Sequence, residues 1–275
     1  IKVYSHITRA HFDIIIRKAK ENHLPVTGHL GTLSARYAVE NGINGLEHGL
    51  FAINDFGVDS NDYTTMLCRI ARIDLASEQV SKLIDLIVEK NVYVDPTMVI
   101  MEMSASDFEP NPIDYESYLN EDAKKIQVVM DKYVSDLVSK DNCLEEALTK
   151  QRQFVKLVYD RKGLLVAGTD PGTAKVLPGF GIKKEIEFFM LSGIPLVEAI
   201  KIASYNGAFV LGISNKTGSI ETGKNADLSI YNGDITEHTD VLKKPELVLK
   251  HGKIYYPDSL LMRVKGKVTS VKPGN

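Results

Sequence analysis

The chain has 275 residues, a formal net charge of −3 and 44% hydrophobic residues. This length and composition predict one large domain with a substantial core, plus an appendage. The negative charge argues against general attraction to nucleic acid or to an anionic membrane surface. No run of about 18 apolar residues is present, so no transmembrane helix is expected.

The cysteines and the first residue bear on the compartment without deciding it. Cys68 and Cys143 are too far apart in sequence for a zinc knuckle. They could pair, but we expect free thiols, which do not fix a compartment. The chain begins at Ile1 inside an apolar, strand-like run, which predicts that sequence is missing upstream, with any signal peptide lost with it. A cytoplasmic and an exported location both stay open.

Strand-like and helix-like segments alternate along the first third of the chain, a pattern typical of βα units. The predicted strands are residues 1–4, 25–27, 43–46 and 92–94. The predicted helices are residues 9–22, 33–41 and 77–90, and Thr32 is the expected N-cap of the second.

The alternation of strands and helices is interrupted over residues 98–162. There an acidic, proline-containing loop (104–115) precedes long helical sequence (122–138 and 144–162). This insertion is either a lid over the carboxyl ends of the strands or an ordinary elongated helix with its entry loop. A last strand-like run (164–170) leads to a Gly/Pro-rich loop and two helices, 182–192 and 195–211. Short strands follow from residue 217, with a hairpin at 247–249 and 253–256, which predicts a small β appendage.

Two histidines stand directly after strand-like runs. His29 and His48 end successive predicted βα units, and Asp170 follows a later one. A lone histidine in such a place is more often a loop residue. Two of them together with a carboxylate make a metal site at the carboxyl ends of barrel strands as well supported as the loop interpretation, and both stay open. Glu47 precedes His48, so strand alternation predicts that it points the other way, toward the surrounding helices, in a structural role.

Lys2 lies in the strand before the one that ends at His29, and alternation turns it away from Ile1 and Val3. A lysine inside a barrel is costly unless it is paired or neutralised. One barrel chemistry converts the amine to a carbamate that bridges two cations, whereas the spacing alone favours a solvent-facing lysine. Tyr4 and His6 lie two and four residues after Lys2, so strand alternation puts them on the same face, and they are candidate substrate contacts.

Taken together, these residues and the tail resemble the amidohydrolase superfamily, most closely its imidazolonepropionase-like and prolidase-like branch. The residues that carry the resemblance are Lys2, His29, His48, Asp170, Ala208, and residues 211–212, 217–220, 223–224 and 226–228. The resemblance implies the α/β class and a (β/α)₈ TIM-type barrel, of which only the later strands are present. The barrel would span residues 1–212, with the helical insertion at about 98–162, and residues 213–275 would form part of a small β-sandwich.

Carried over from the family, Lys2 matches the carbamylated lysine after the fourth strand, and His29 and His48 match the fifth- and sixth-strand ligands. Asp170 matches the eighth-strand carboxylate that binds metal and accepts a proton from the nucleophilic water. The implied cofactor is a divalent metal, most simply Zn²⁺, binuclear in the complete enzyme. The family's first-strand H-x-H pair is absent from this sequence. We therefore expect the later portion of a longer enzyme, which alone assembles at most a mononuclear site on His29 and His48.

The implied activity is metal-dependent hydrolysis of C–N bonds, prolidase-like or dipeptidase-like. The expected partners are a small-molecule substrate (a dipeptide, an acyl-amino acid or a cyclic amide) and further copies of the chain in a homo-oligomer. One alternative is a deaminase or lactonase of the same superfamily, which would share the ligands. The other is a catalytically inactive, ligand-binding module.

Overall fold

The computed structural model describes residues 1–56, 63–102, 115–138, 142–171, 176, 179–236, 241–242 and 244–268. The predicted alternation of strands and helices is confirmed in its first third. The strands there are β1 (Lys2–Val3), β2 (Thr27–Gly28), β3 (Gly45–Glu47) and β4 (Tyr93–Asp95). The helices are α1 (Arg9–Glu21), α2 (Ala35–Asn41), α3 (Tyr63–Ala71) and α4 (Glu78–Glu89).

The strands form a parallel sheet in the order β1-β2-β3-β4. A further segment joins β4, because the Val94 amide donates to the Leu164 carbonyl at 2.9 Å and the Val166 amide donates to the Val94 carbonyl at 3.0 Å. Consecutive parallel strands joined by helices place all their carboxyl ends at one edge. The α/β class predicted from the sequence is confirmed.

Helix α2 shows how local sequence fixes an element. Its N-cap is Ser34, whose hydroxyl accepts from the Tyr37 amide at 3.1 Å, so the prediction of Thr32 as the cap is wrong. The Asp55 carboxylate accepts from the Ser34 hydroxyl and the Ala35 amide, both at 2.7 Å, and so occupies the positive end of the helix. The helix ends at Gly42, where φ is 101°.

The insertion contains α5 (Met98–Glu102), α6 (Glu121–Val138) and α7 (Leu144–Asp160). The loop expected at 104–115 lies outside the described residues, apart from Tyr115, which begins a short 3₁₀ turn. Helix α7 buries one face in the main core, as an ordinary barrel helix does. The residues of that face are Leu144, Ala147, Leu148, Gln151, Phe154, Val155 and Val158.

Cys68 of α3 and Cys143, which directly precedes α7, form a disulfide with an S–S distance of 2.02 Å. The expectation of free thiols is therefore wrong. The two cysteines are 75 residues apart in sequence, but packing of α3 against α7 brings their Cα atoms to 4.9 Å. That distance lies within the range that a disulfide requires.

The remaining elements begin with α8 (Gly181–Leu191) and α9 (Leu196–Lys201), then a π-helical turn (Ile202–Asn206) and α10 (Gly207–Val210). The second helix predicted in this region is thus interrupted by the π turn. Three antiparallel strands follow, β5 (Leu228–Ile230), β6 (Leu247–Lys250) and β7 (Lys253–Tyr255), and then α11 (Pro257–Val264).

The β6–β7 hairpin confirms the sequence prediction, and its turn residues, His251 and Gly252, both have positive φ. The main hydrophobic core is drawn from residues between Val3 and Ile202, and this small sheet contributes none of it. The division into a barrel (1–212) and a sandwich portion (213–275) stays a prediction. No helix in the described part of the chain is both long and apolar enough to cross a membrane.

Candidate metal site

The parallel sheet has two chemically different faces, because side chains alternate along each strand. The row that packs into the helical core is Val3, Gly28, Leu46 and Val94. The row on the opposite face is Lys2, Thr27, Gly45 and Tyr93. The second face is called the inner face below, since it is the side that a closed barrel would enclose.

His29 and His48 lie side by side at the carboxyl ends of β2 and β3, with ring centroids 4.7 Å apart and planes at 65°. The His29 amide donates to the Val3 carbonyl at 3.2 Å, which continues the pairing of β2 with β1. The His48 amide donates to the Asp95 carbonyl at 2.6 Å. At His48 the backbone turns to the left-handed region, with φ of 65°. The structure therefore brings the two predicted histidines together.

Both imidazoles are held neutral by their surroundings. Burial, and then the neighbouring His29 and Lys2, lower the pKa of His48 to about 3. Burial and Lys2 also lower the pKa of His29, against the opposing effect of Asp170. A neutral imidazole keeps an unprotonated nitrogen lone pair, which is the form that binds divalent metals.

The other predicted site residues surround this pair less closely. The Tyr4 ring lies 5.0 Å from the His29 ring, although Tyr4 is largely exposed beyond the end of β1. Lys2 and Asp170 are near enough to shift the pKa of His29. Asp170 is exposed and has φ of 40°, and exposed His6 sits on the turn after β1 with φ of 74°.

The donor chemistry fits a divalent cation in part. Two neutral histidines and a nearby carboxylate are groups that such a site uses, whereas the amine of Lys2 is not itself a metal ligand. Within the described residues, however, no three His, Cys, Asp or Glu side chains are grouped closely enough to hold a metal ion. The histidine pair is therefore the part of the site that the chain assembles here, and the ligand assignments stay predictions.

Glu47 faces the inner side of the sheet, so the prediction that it points toward the helices is wrong. Its Oε2 lies 3.9 Å from Lys2 Nζ, and the Thr27 hydroxyl donates to its carboxylate. Glu47 is two residues after Gly45 and so shares the face of Lys2 and Thr27. Strand alternation ends after Glu47, because His48 leaves the extended conformation. This allows the Glu47 and His48 side chains to lie on the same side.

Asp95, at the end of β4, is a second inner carboxylate that the sequence analysis missed. Its Oδ1 accepts from the Gly168 amide at 3.0 Å and from both the amide and the hydroxyl of Thr97 at 3.1 Å. Burial, and then the charge of Glu47, raise the pKa of Asp95 to about 7. A side chain at position 168 would overlap the Asp95 carboxylate, so glycine is required there. The available signal was the strand-end position of Asp95, which matches that of the histidines.

The sequence matches the amidohydrolase family over residues 6–255. No curated protein matches the chain.

Among solved structures, the chain is similar to a Xaa-Pro dipeptidase with methionine bound in its active site (24% identity, 91% of this chain and 49% of that chain, TM-score 0.61). It is also similar to bottromycin amidohydrolase (20% identity, 96% and 57%, TM-score 0.67). A third similar structure is a prolidase complexed with N-methylphosphonate-L-proline (17% identity, 91% and 49%, TM-score 0.57).

The chain spans about half the length of these solved structures. At such identities the likeness concerns the fold, and it confirms the partial TIM-type barrel predicted from the sequence. The family match covers most of the chain, and the paired histidines lie within the matched range. The chain belongs to the amidohydrolase family.

Proposed function

We propose that this chain carries part of the active site of a metal-dependent hydrolase that cleaves C–N bonds in the manner of a prolidase or dipeptidase. The observation that carries the proposal is the pair of neutral imidazoles, His29 and His48, at adjacent strand ends of an amidohydrolase-family chain. The similarity to a Xaa-Pro dipeptidase and to a prolidase supports a peptide-like substrate with a small amine leaving group.

His29 and His48 would hold the cation, most simply Zn²⁺, with Asp170 beside them and Lys2, as its carbamate, serving a second cation. A divalent cation in such a site lowers the pKa of bound water and polarises the scissile carbonyl. Asp170 would accept the proton of the attacking water and return it to the leaving amine. Tyr4 would contact the substrate, and the 5.0 Å separation of its ring from the His29 ring supports this role.

Zinc binding by the purified 275-residue chain tests the first part of this proposal. We expect the wild type to bind about one equivalent of Zn²⁺, and we expect His29→Ala to lose it, because a single remaining imidazole is too few ligands. The matched control is His11→Ala, which removes an exposed histidine of α1 and should leave binding unchanged. Equal zinc contents in wild type and His29→Ala would overturn the site.

Substrate assignment uses the complete zinc-loaded enzyme, which the proposal takes to supply the first-strand ligands, with a panel of Xaa-Pro and other dipeptides, N-acyl amino acids and cyclic amides. Asp170→Asn should keep the metal and lose roughly 10²–10⁴-fold in kcat, the usual range for a general acid–base residue. An unchanged kcat would remove Asp170 from proton transfer. Metal binding without cleavage of any member of the panel would overturn the substrate class and leave the metal site standing.

A further inference from the structure

Gln151 is a fully buried polar residue on the apolar face of α7, only 1% exposed. Its Oε1 accepts from the Leu50 amide at 2.9 Å. Its Nε2 donates to the His48 carbonyl and to the Pro96 carbonyl, both at 3.2 Å. The carboxamide therefore joins the segment after β3 to the segment after β4. A buried amide that satisfies three backbone groups at once fixes their relative positions more firmly than apolar packing could.

The backbone that Gln151 binds is in an unfavourable conformation. His48 has φ of 65° and Gly49 has φ of 54°, and a residue other than glycine is uncommon in this left-handed region. A Cβ at position 49 would lie 2.5 Å from Gln151 Nε2, so the carboxamide packs directly against that glycine. The turn that presents the His48 ring is thus held by an external partner, and Gln151 is in contact with both sides of it.

We propose that Gln151 is a positioning residue for His48: through the His48 carbonyl and the Leu50 amide it holds the His48 ring beside the His29 ring. The consequence for metal binding rests on the proposed function, whereas the geometric consequence does not. A residue that merely fills the core would contribute to stability without affecting how the two imidazoles are placed.

Two substitutions separate these roles. Gln151→Met keeps the size of the side chain and removes all three hydrogen bonds. Gln151→Glu keeps an oxygen for the Leu50 amide and replaces the two N–H donors to the His48 and Pro96 carbonyls by at most one O–H donor. The matched control is Gln153→Met, an exposed glutamine two residues along the same helix.

The first measurement uses metal-free protein with labelled histidines and records the proton NOE between the His29 and His48 rings. The second measures the Co²⁺ dissociation constant by competition with a chelator. In Gln151→Met we expect the NOE to be lost and Co²⁺ binding to weaken by roughly 10–100-fold, as is usual when the partner that orients a metal ligand is removed. Gln151→Glu should show the same changes to a smaller extent, and Gln153→Met should show neither.

An unchanged NOE in a folded Gln151→Met protein would overturn the proposal. If Gln151→Met fails to fold, the same comparison is decided by Gln151→Glu against the wild type. If the wild type binds no Co²⁺, the metal-dependent function fails, and the NOE still decides whether Gln151 positions His48.

Discussion

The two faces of the parallel sheet differ sharply although they are built from the same very short strands. The face toward the helices presents Val3, Leu46 and Val94, all almost fully buried. The inner face presents Lys2 and the carboxylates of Glu47 and Asp95. Glu47 contacts Lys2, and its charge raises the pKa of Asp95, while Lys2 lowers the pKa of both histidines. The first face gains free energy by burying apolar surface. The second loses free energy because charged groups are removed from water. Ionisable groups with shifted pKa values, which this face carries, are typical of functional sites.

The largest effect that this comparison predicts is on the core face. Leu46→Ala should lower the free energy of unfolding by about 2–5 kcal/mol, because it leaves a cavity where a side chain is 1% exposed. Urea unfolding measures this change. The control is Val197→Ala at an exposed position on α9, whose free energy of unfolding should stay within about 0.5 kcal/mol of the wild-type value. Zinc affinity of the folded variant should stay at the wild-type level. A large loss of affinity would mean that the two faces are not separable.

A smaller effect is expected from Asp95→Asn on the inner face. The pKa of Asp95 is about 7 in the fold and near 3.9 in an unfolded chain. Between these values the folded state holds a proton that the unfolded state has released, so stability falls as pH rises from about 4 to about 7.

The asparagine variant has no titrating group at this position, so its free energy of unfolding should not show this decline. Between pH 4 and pH 8 its free energy of unfolding should therefore rise by about 1–4 kcal/mol relative to that of the wild type. Urea unfolding of chelator-treated protein at several pH values measures it. The exposed Asp160→Asn serves as the control. Parallel pH profiles for wild type and Asp95→Asn would contradict the prediction.

The smallest effect concerns the coupling of the two inner carboxylates. Glu47→Gln removes a charge that raises the pKa of Asp95, so that pKa should fall from about 7 but stay above its ordinary value, because burial is the larger cause. Carboxyl ¹³C NMR titration follows it, with Glu89→Gln on α4 as the exposed control. Loss of the contact with Lys2 should change stability by less than about 1 kcal/mol, because Lys2 is 40% exposed. A rise in the pKa of Asp95 would show that Glu47 acts in another way.

Periodicity predicted the elements that position the site. Strands that alternate with amphipathic helices such as α4, where Val80, Leu83, Ile84 and Ile87 are all buried, follow directly from residue spacing. The strand-end positions of His29 and His48 followed from the same pattern, since parallel strands bring their carboxyl ends together. These are local rules, so one sequence was enough to apply them.

Features that depend on distant contacts were missed. The face of the sheet on which the Glu47 side chain lies depended on the register of β3 and on the left-handed turn at His48. No local sequence pattern predicted that turn. Gln151 carried a usable signal, because a glutamine stands among apolar residues spaced by three and four along α7. Its partners, about 55 and 103 residues away along the chain, could not be read from that spacing.

The bond between Cys68 and Cys143 also changes the covalent connectivity of the chain. It closes a ring that contains α4, β4 and α5, and therefore Asp95. A single peptide-bond cleavage anywhere between the two cysteines would leave both fragments in one molecule. They would run as one band on a denaturing gel until a reductant separated them.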